Sequence, residues 1–267
     1  MKNYGLIGYP LGHSFSGKYF SEKFEKENID ARYELYELPE IQSFNKLVKS
    51  VDLSGLNVTI PYKETVIPYL DELDETAAEI GAVNVIQFKR GADKITLKGY
   101  NTDIIGFINA IHPHLKAHHQ KALVLGTGGA AKAMAYGLRK LGVAVTFVSR
   151  SRAASDKLQA VSGRFRKEHV ISYKDLNKDI LLDNLLIVNA TPVGTYPAVD
   201  NCPDIPYIFL TVQHLLFDAV YNPAETLFLK KGRAQGAFGM NGEQMLIGQA
   251  EAAWKVWRQF PMSQGTN

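Results

Sequence analysis

The stretch Leu123-Val124-Leu125-Gly126-Thr127-Gly128-Gly129-Ala130-Ala131 decides how this chain is read. Ala122 to Leu125 is a short apolar run of the kind that forms a buried parallel strand. Gly126, Gly128 and Gly129 let the backbone turn tightly, and helical periodicity follows at once. Ala130, Ala133, Met134, Gly137, Leu138 and Leu141 recur at offsets of three and four, one face of a helix. Strand, glycine turn and helix N-terminus together make an anion site, because bare N–H groups and the helix dipole both favour a pyrophosphate. About twenty residues on, a second strand would end in Asp or Glu if the cofactor were NAD. Here Val143 to Val148 runs into Ser149-Arg150-Ser151-Arg152, and a guanidinium among hydroxyls suits a 2′-phosphate. The residues therefore read as NADP rather than NAD. The bland alternative is a glycine turn that only lets a helix pack closely on a sheet.

Working outward, the strand begins near residue 121, so enough chain precedes it for a separate domain. The 267 residues suit two modest domains or one large one. A formal charge of +3 and the lack of a long basic run give no argument for nucleic acid or a membrane surface. The single cysteine, Cys202, excludes an internal disulfide and any multi-cysteine metal site, and no metal is expected. Gly5, Gly8 and Pro10 interrupt the only early apolar stretch, which argues against a signal peptide. No segment approaches the roughly twenty apolar residues needed to span a bilayer. The expectation is a cytoplasmic protein.

Strands are expected at Tyr4 to Gly8, Arg32 to Leu38, Leu56 to Ile60, Leu185 to Asn189 and Leu215 to Asp218, with a hairpin from Val83 to Tyr100 around Gly91. Helices are expected at Lys18 to Lys26, Ile41 to Val51, Glu64 to Leu70, Leu73 to Ile80, Asp103 to Ile111 and Gln244 to Trp257. A histidine-bearing connector, His112 to Gln120, leads into the βαβ unit. Alternating strands and helices predict an α/β fold with parallel-rich sheets.

Polar clusters precede the nucleotide motif. Ser14 and Ser16 follow the first strand, and two readings stand for them: helix caps and turn formers, or ligand groups at a strand C-terminus. Asn57 and Thr59 share one face of a strand that Pro61 ends, and Lys63 opens the next element. A lysine beside a helix N-terminus is electrostatically disfavoured, which points to an anionic partner; the alternative is a solvated surface lysine. Asn84 lies in an apolar stretch and needs partners if buried. Asp103 reads either as a helix N-cap or as part of a polar site.

Taken in order, these clusters resemble the shikimate dehydrogenase family, and the resemblance runs through nearly the whole chain. The family pattern H-S-x-S appears as His13-Ser14-Phe15-Ser16, N-V-T-x-P-x-K as Asn57 to Lys63, G-A-V-N as Gly81 to Asn84, and N-T-D as Asn101 to Asp103. G-x-G-G-A is Gly126 to Ala130, and N-A-T-P-x-G is Asn189 to Gly194. D-x-x-Y is Asp218 to Tyr221, and the C-terminal signature is Asn241 to Gln249. Gly17 and Ile104 depart from the pattern's usual proline and glycine, and Ala154 stands where a second basic residue is usual.

The resemblance implies two domains. An open, parallel-rich substrate domain spans 1–101, completed by C-terminal helices in 238–267 that pack back on it; a Rossmann-type NADP domain spans 102–237. It implies NADPH-dependent, reversible reduction of 3-dehydroshikimate to shikimate, a step of chorismate and aromatic amino acid biosynthesis, in a cleft between the domains. Lys63 and Asp103 are the implied catalytic pair. Ser14, Ser16 and Tyr221 are implied at the substrate carboxylate, and Asn57, Thr59, Asn84, Asp103 and Gln249 at the ring hydroxyls. Gly126, Thr127, Gly128, Gly129 and Ala130 would cradle the pyrophosphate. Ser149, Arg150, Ser151 and Arg152 would face the 2′-phosphate, and Thr191, Ala219 and Gly242 the nicotinamide, with Glu75 a further cofactor-side residue. The implied partner is a small-molecule substrate, not nucleic acid or membrane, with a monomer or homodimer as the assembly. A quinate or dual-specificity dehydrogenase, a non-catalytic sensor on the same fold and another two-domain NADP enzyme are the rival readings.

Overall fold

The computed structural model describes residues 1–12, 14–91, 94–150 and 169–258. The chain divides into two compact units: Met1–Thr102 with the segment from Ala250 on, and Asp103–Gln249.

The first unit holds a six-stranded sheet of β1 (Lys2–Gly8), β2 (Ala31–Glu37), β3 (Leu53–Val58), β4 (Glu72–Leu73), β5 (Val85–Arg90) and β6 (Ile95–Tyr100), in the order β2-β1-β3-β5-β6-β4. β5 alone runs against its neighbours, because the β5–β6 hairpin reverses the chain. Helices α1 (Phe15–Lys26), α2 (Phe44–Ser50) and α3 (Glu75–Ile80) belong to this unit. Asn57 pairs with Val85, and Val85 with Tyr100. The C-terminal ends of β1, β3 and β6 and the N-terminal end of β5 therefore share one edge of the sheet. Every polar cluster of the first hundred residues leaves the sheet at that edge.

The second unit holds β7 (Lys121–Leu125), β8 (Ala144–Ser149), β9 (His169–Ser172), β10 (Leu186–Asn189), β11 (Leu215–Asp218) and β12 (Phe238–Met240), all parallel, in the order β12-β11-β10-β7-β8-β9. Read from the other side this is the doubly wound Rossmann order, with its switch point between β7 and β10. Helices α4 (Asp103–Ile111), α5 (Gly129–Lys140), α6 (Lys178–Asp183) and α7 (Leu227–Ala234) accompany it. α8 (Glu243–Arg258) starts in this unit and ends in the first. Its last turns bury Ala250, Ala253, Trp254 and Trp257 among Tyr4, Phe20 and Phe24, so the C-terminal helix does pack back on the first sheet.

Two expectations change. Residues 238–249 cluster with the second unit, because β12 extends its sheet beside β11 and Met245 joins its core. The helix expected at Glu64 to Leu70 is a run of turns closed by a 3-10 turn at Ile67–Tyr69. Pro68 lacks the N–H that an α-helix needs there. β4, β9, β12, α6 and α7 are too short or too weakly patterned for sequence periodicity to reveal.

Candidate active site

In the first unit, Ser14 is the N-cap of α1 and accepts from the Gly17 N–H at 3.3 Å. Ser16, the second residue of α1, stands beside the Tyr33 phenol. Burial pushes that phenol well above its ordinary pKa, with the Ser16 hydrogen bond pulling the other way. Tyr33 donates to Asn57 Oδ1 at 2.7 Å, and Asn57 Nδ2 donates to the Asn84 carbonyl at 3.3 Å. Asn84 in turn donates to Thr102 Oγ1 at 3.0 Å and accepts from the Thr102 N–H at 2.7 Å. Ser16, Asn57 and Asn84 thus belong to one hydrogen-bonded chain along the sheet edge, and the need for partners at a buried Asn84 is met. Tyr33 and Thr102 are members that sequence reasoning missed. The signal for Tyr33 was only a place in a strand pattern.

Thr59 follows β3 with its N–H bonded to the Ile7 carbonyl at 2.9 Å. Lys63 lies in the turn beyond it, its carbonyl accepting from the Val83 N–H at 2.7 Å. Since no α-helix starts there, the helix-dipole argument for Lys63 does not apply. What stands is its position on the edge that carries Asn57 and Asn84. Glu75 is exposed in the first turn of α3.

In the second unit Asp103 opens α4 and is buried. α4 meets α8 where Gly106 faces Gly248: a Cβ on Gly248 would lie 3.0 Å from the Gly106 Cα, and one on Gly106 would collide with the Met245 carbonyl. That contact fixes Gln249, 6% exposed, against the helix that begins with Asp103.

The glycine loop occupies the switch point. Gly126 has φ +107°, which only glycine adopts easily, and a Cβ there would press on Thr191 Cγ2 at 3.0 Å. Gly128 caps α5 without a side-chain hydrogen bond, and a Cβ on it would meet open space. The first turn of α5 carries no acidic residue, so no carboxylate of that turn competes for its N–H groups. This cradle fits a dinucleotide pyrophosphate. Ser149, 8% exposed, ends β8, and exposed Arg150 follows close enough to bias the half-buried Tyr173 phenol, which desolvation pushes up to about 12. Ser151 and Arg152 lie outside the described residues. Thr191, Ala219 and Tyr221 are half-buried in the loops after β10 and β11, and Gly242 is buried after β12. A Cβ on Gly242 would run into the Ala219 carbonyl.

A model of the shikimate dehydrogenase substrate binding domain matches residues 6–86. A shikimate dehydrogenase (NADP(+)) from Methanosphaera stadtmanae is 36% identical over 259 residues, which are 95% of this chain and 90% of the relative. The chain belongs to the shikimate dehydrogenase family. Among solved structures, shikimate 5-dehydrogenase from Thermus thermophilus in complex with NADP(H) and shikimate aligns with a TM-score of 0.83 at 29% identity, covering 97% of this chain and 94% of that one. Quinate dehydrogenase from Corynebacterium glutamicum in complex with NAD also aligns at 0.83, with 26% identity over 97% and 94% of the two chains. The shikimate dehydrogenase fold is thus common to enzymes with different ring acids and cofactors. Among the described residues no helix is long and apolar enough to cross a membrane.

Proposed function

We propose that this protein is an NADP-dependent oxidoreductase that reversibly reduces 3-dehydroshikimate to shikimate. The observation that carries this reading is the near full-length match to a shikimate dehydrogenase (NADP(+)), with eight family motifs present in order. The first unit takes the ring acid and the second takes the dinucleotide. When bound, NADPH supplies the hydride that reduces the C3 carbonyl. Negative charge then develops on the carbonyl oxygen, and the Lys63 ammonium stabilises it and delivers the proton. Asp103, the other member of the proposed pair, takes the ring hydroxyls. Ser14, Ser16 and Tyr221 hold the substrate carboxylate; Asn57, Thr59, Asn84 and Gln249 line the ring. Gly126 to Ala130 hold the pyrophosphate, with Ser149, Arg150, Ser151 and Arg152 toward the 2′-phosphate and Glu75 on the cofactor side.

The test is loss of NADPH absorbance when 3-dehydroshikimate is added to the purified protein, repeated with NADH, and with quinate and shikimate in the reverse direction. Lys63→Ala should lower kcat by about 100-fold or more while KM changes little, the mark of a group used chiefly in the transition state. Near-normal turnover of that variant would sink the mechanism. Quinate oxidised with NAD as efficiently as shikimate with NADP would move the protein toward the quinate-using relatives.

A further inference from the structure

Asp218 ends β11 with none of its surface exposed, and it belongs to no implied contact set. Its carboxylate accepts three hydrogen bonds, two at Oδ1 and one at Oδ2. Asn189 Nδ2 donates at 2.9 Å, the Val220 N–H at 3.0 Å and the Thr226 hydroxyl at 2.5 Å. Each donor leads to a loop end. Asn189, held by Asp218, accepts from both the N–H and the hydroxyl of Thr191, at 3.1 and 2.6 Å. Thr191 is the side chain against which a Cβ on Gly126 would press. Val220 follows Ala219, whose carbonyl bars any side chain at Gly242, and the Val220 carbonyl accepts from the Gly242 N–H at 3.2 Å. One buried carboxylate therefore ties together the ends of β7, β10, β11 and β12, the C-terminal edge where ligands of such sheets bind.

We propose that Asp218 is a positioning residue for the nicotinamide half of the cofactor: through Asn189 it sets Thr191, and through Val220 it sets Ala219 and Gly242. The inference rests on the functional reading above, since it takes these loops to face the nicotinamide. Asp218→Asn would not break this set, because its remaining oxygen can still accept from Asn189 and Val220 while its NH2 donates to the Thr226 hydroxyl, which can also accept. Asp218→Leu keeps the branched shape and leaves all three donors without an acceptor.

The experiment compares two probes on wild type, Asp218→Leu and Asn189→Ala. NADPH, followed by nicotinamide fluorescence, spans the whole site; adenosine 2′,5′-bisphosphate, followed by calorimetry, fills only the adenosine end. Both variants should weaken NADPH about tenfold or more, the loss of a charge-assisted hydrogen bond, with adenosine 2′,5′-bisphosphate within about twofold of wild type. Thr226→Val, which cuts the branch toward the cap of α7, should lower thermal stability without that selective loss. Equal weakening of both probes, or of neither, in Asp218→Leu and Asn189→Ala overturns the inference. If Asp218→Leu does not fold, Asp218→Ala is read with the same two probes and the same criterion. Wild type that binds NADPH but gives non-selective variants overturns this inference alone. Wild type that fails to bind NADPH overturns the functional reading and the inference with it.

Discussion

A buried phenol that donates to a buried amide leaves neither group free to change alone. Tyr33 donates to Asn57 from two strands away, across β1, and both side chains are under 9% exposed. Replacing Tyr33 with Phe keeps the ring and its stacking on Phe20, yet strips Asn57 Oδ1 of its donor. A buried acceptor without a partner costs about 1–3 kcal/mol, so Tyr33→Phe should lose that much in chemical denaturation. A change below about 0.5 kcal/mol, the scale of an indifferent surface substitution, would mean that the network does not hold the site edge. Asn84 was legible in the sequence because an amide in an apolar run demands an explanation, and Asn57 because it shares a strand face with Thr59. Tyr33 was not, because a tyrosine in a strand demands none and its partner is set by sheet order. Asp218 was legible only as a motif member, since the three donors around it come from residues up to 29 positions away.

Short elements escaped for a different reason. Hydrophobic period needs several turns to register, so α4, α5 and α8 were readable while the two-residue β4 and three-residue β12 were not. The expected helix after Lys63 failed on Pro68, although the lysine remained on the edge that carries the polar chain. The crossing of α4 and α8 was also hidden, because a glycine inside a helix reads as a weakness until its neighbour is known. At Gly106 two effects oppose. Alanine has the better helix propensity by about 1 kcal/mol, which favours Gly106→Ala. Its methyl would however collide with the Met245 backbone and lie 2.8 Å from the Gln249 nitrogen, and backbone of a packed helix does not step aside cheaply. Overpacking of this kind costs about 1–3 kcal/mol, so the clash wins. Gly106→Ala should therefore lower the melting temperature, and activity with it, because Gln249 is displaced. A variant more stable than wild type would show that the helices separate freely at this point.

For the protein as a whole, buried titratable groups of opposite sign contribute to the dependence of stability on pH. His119 and His214 each accept a backbone N–H at Nδ1, from Lys116 and Thr211, and donate from Nε2 to the carbonyls of Gln213 and Leu181. A backbone N–H can only donate and a carbonyl only accept, so both rings are held neutral, and a second proton at Nδ1 would face a donor. Burial lowers both pKa values below the ordinary 6.5. The unfolded chain therefore takes up protons first; the stability these rings contribute is complete above about pH 6.5 and is lost as the pH falls below it. Asp218 works the other way. Burial raises its carboxyl from 3.8 to about 6, against the three hydrogen bonds that lower it. Between about pH 6 and 4 the folded state binds that proton more tightly than the unfolded one, so acidification there relieves the cost of burying a charge. In wild type the two histidine losses are partly offset by this gain. Asp218→Asn removes the offset, so its denaturation midpoint should fall more steeply than that of wild type between about pH 6 and 4.5, while the two slopes agree above about pH 7. Parallel curves through the acid range would mean that Asp218 titrates as an ordinary carboxylate in the folded protein.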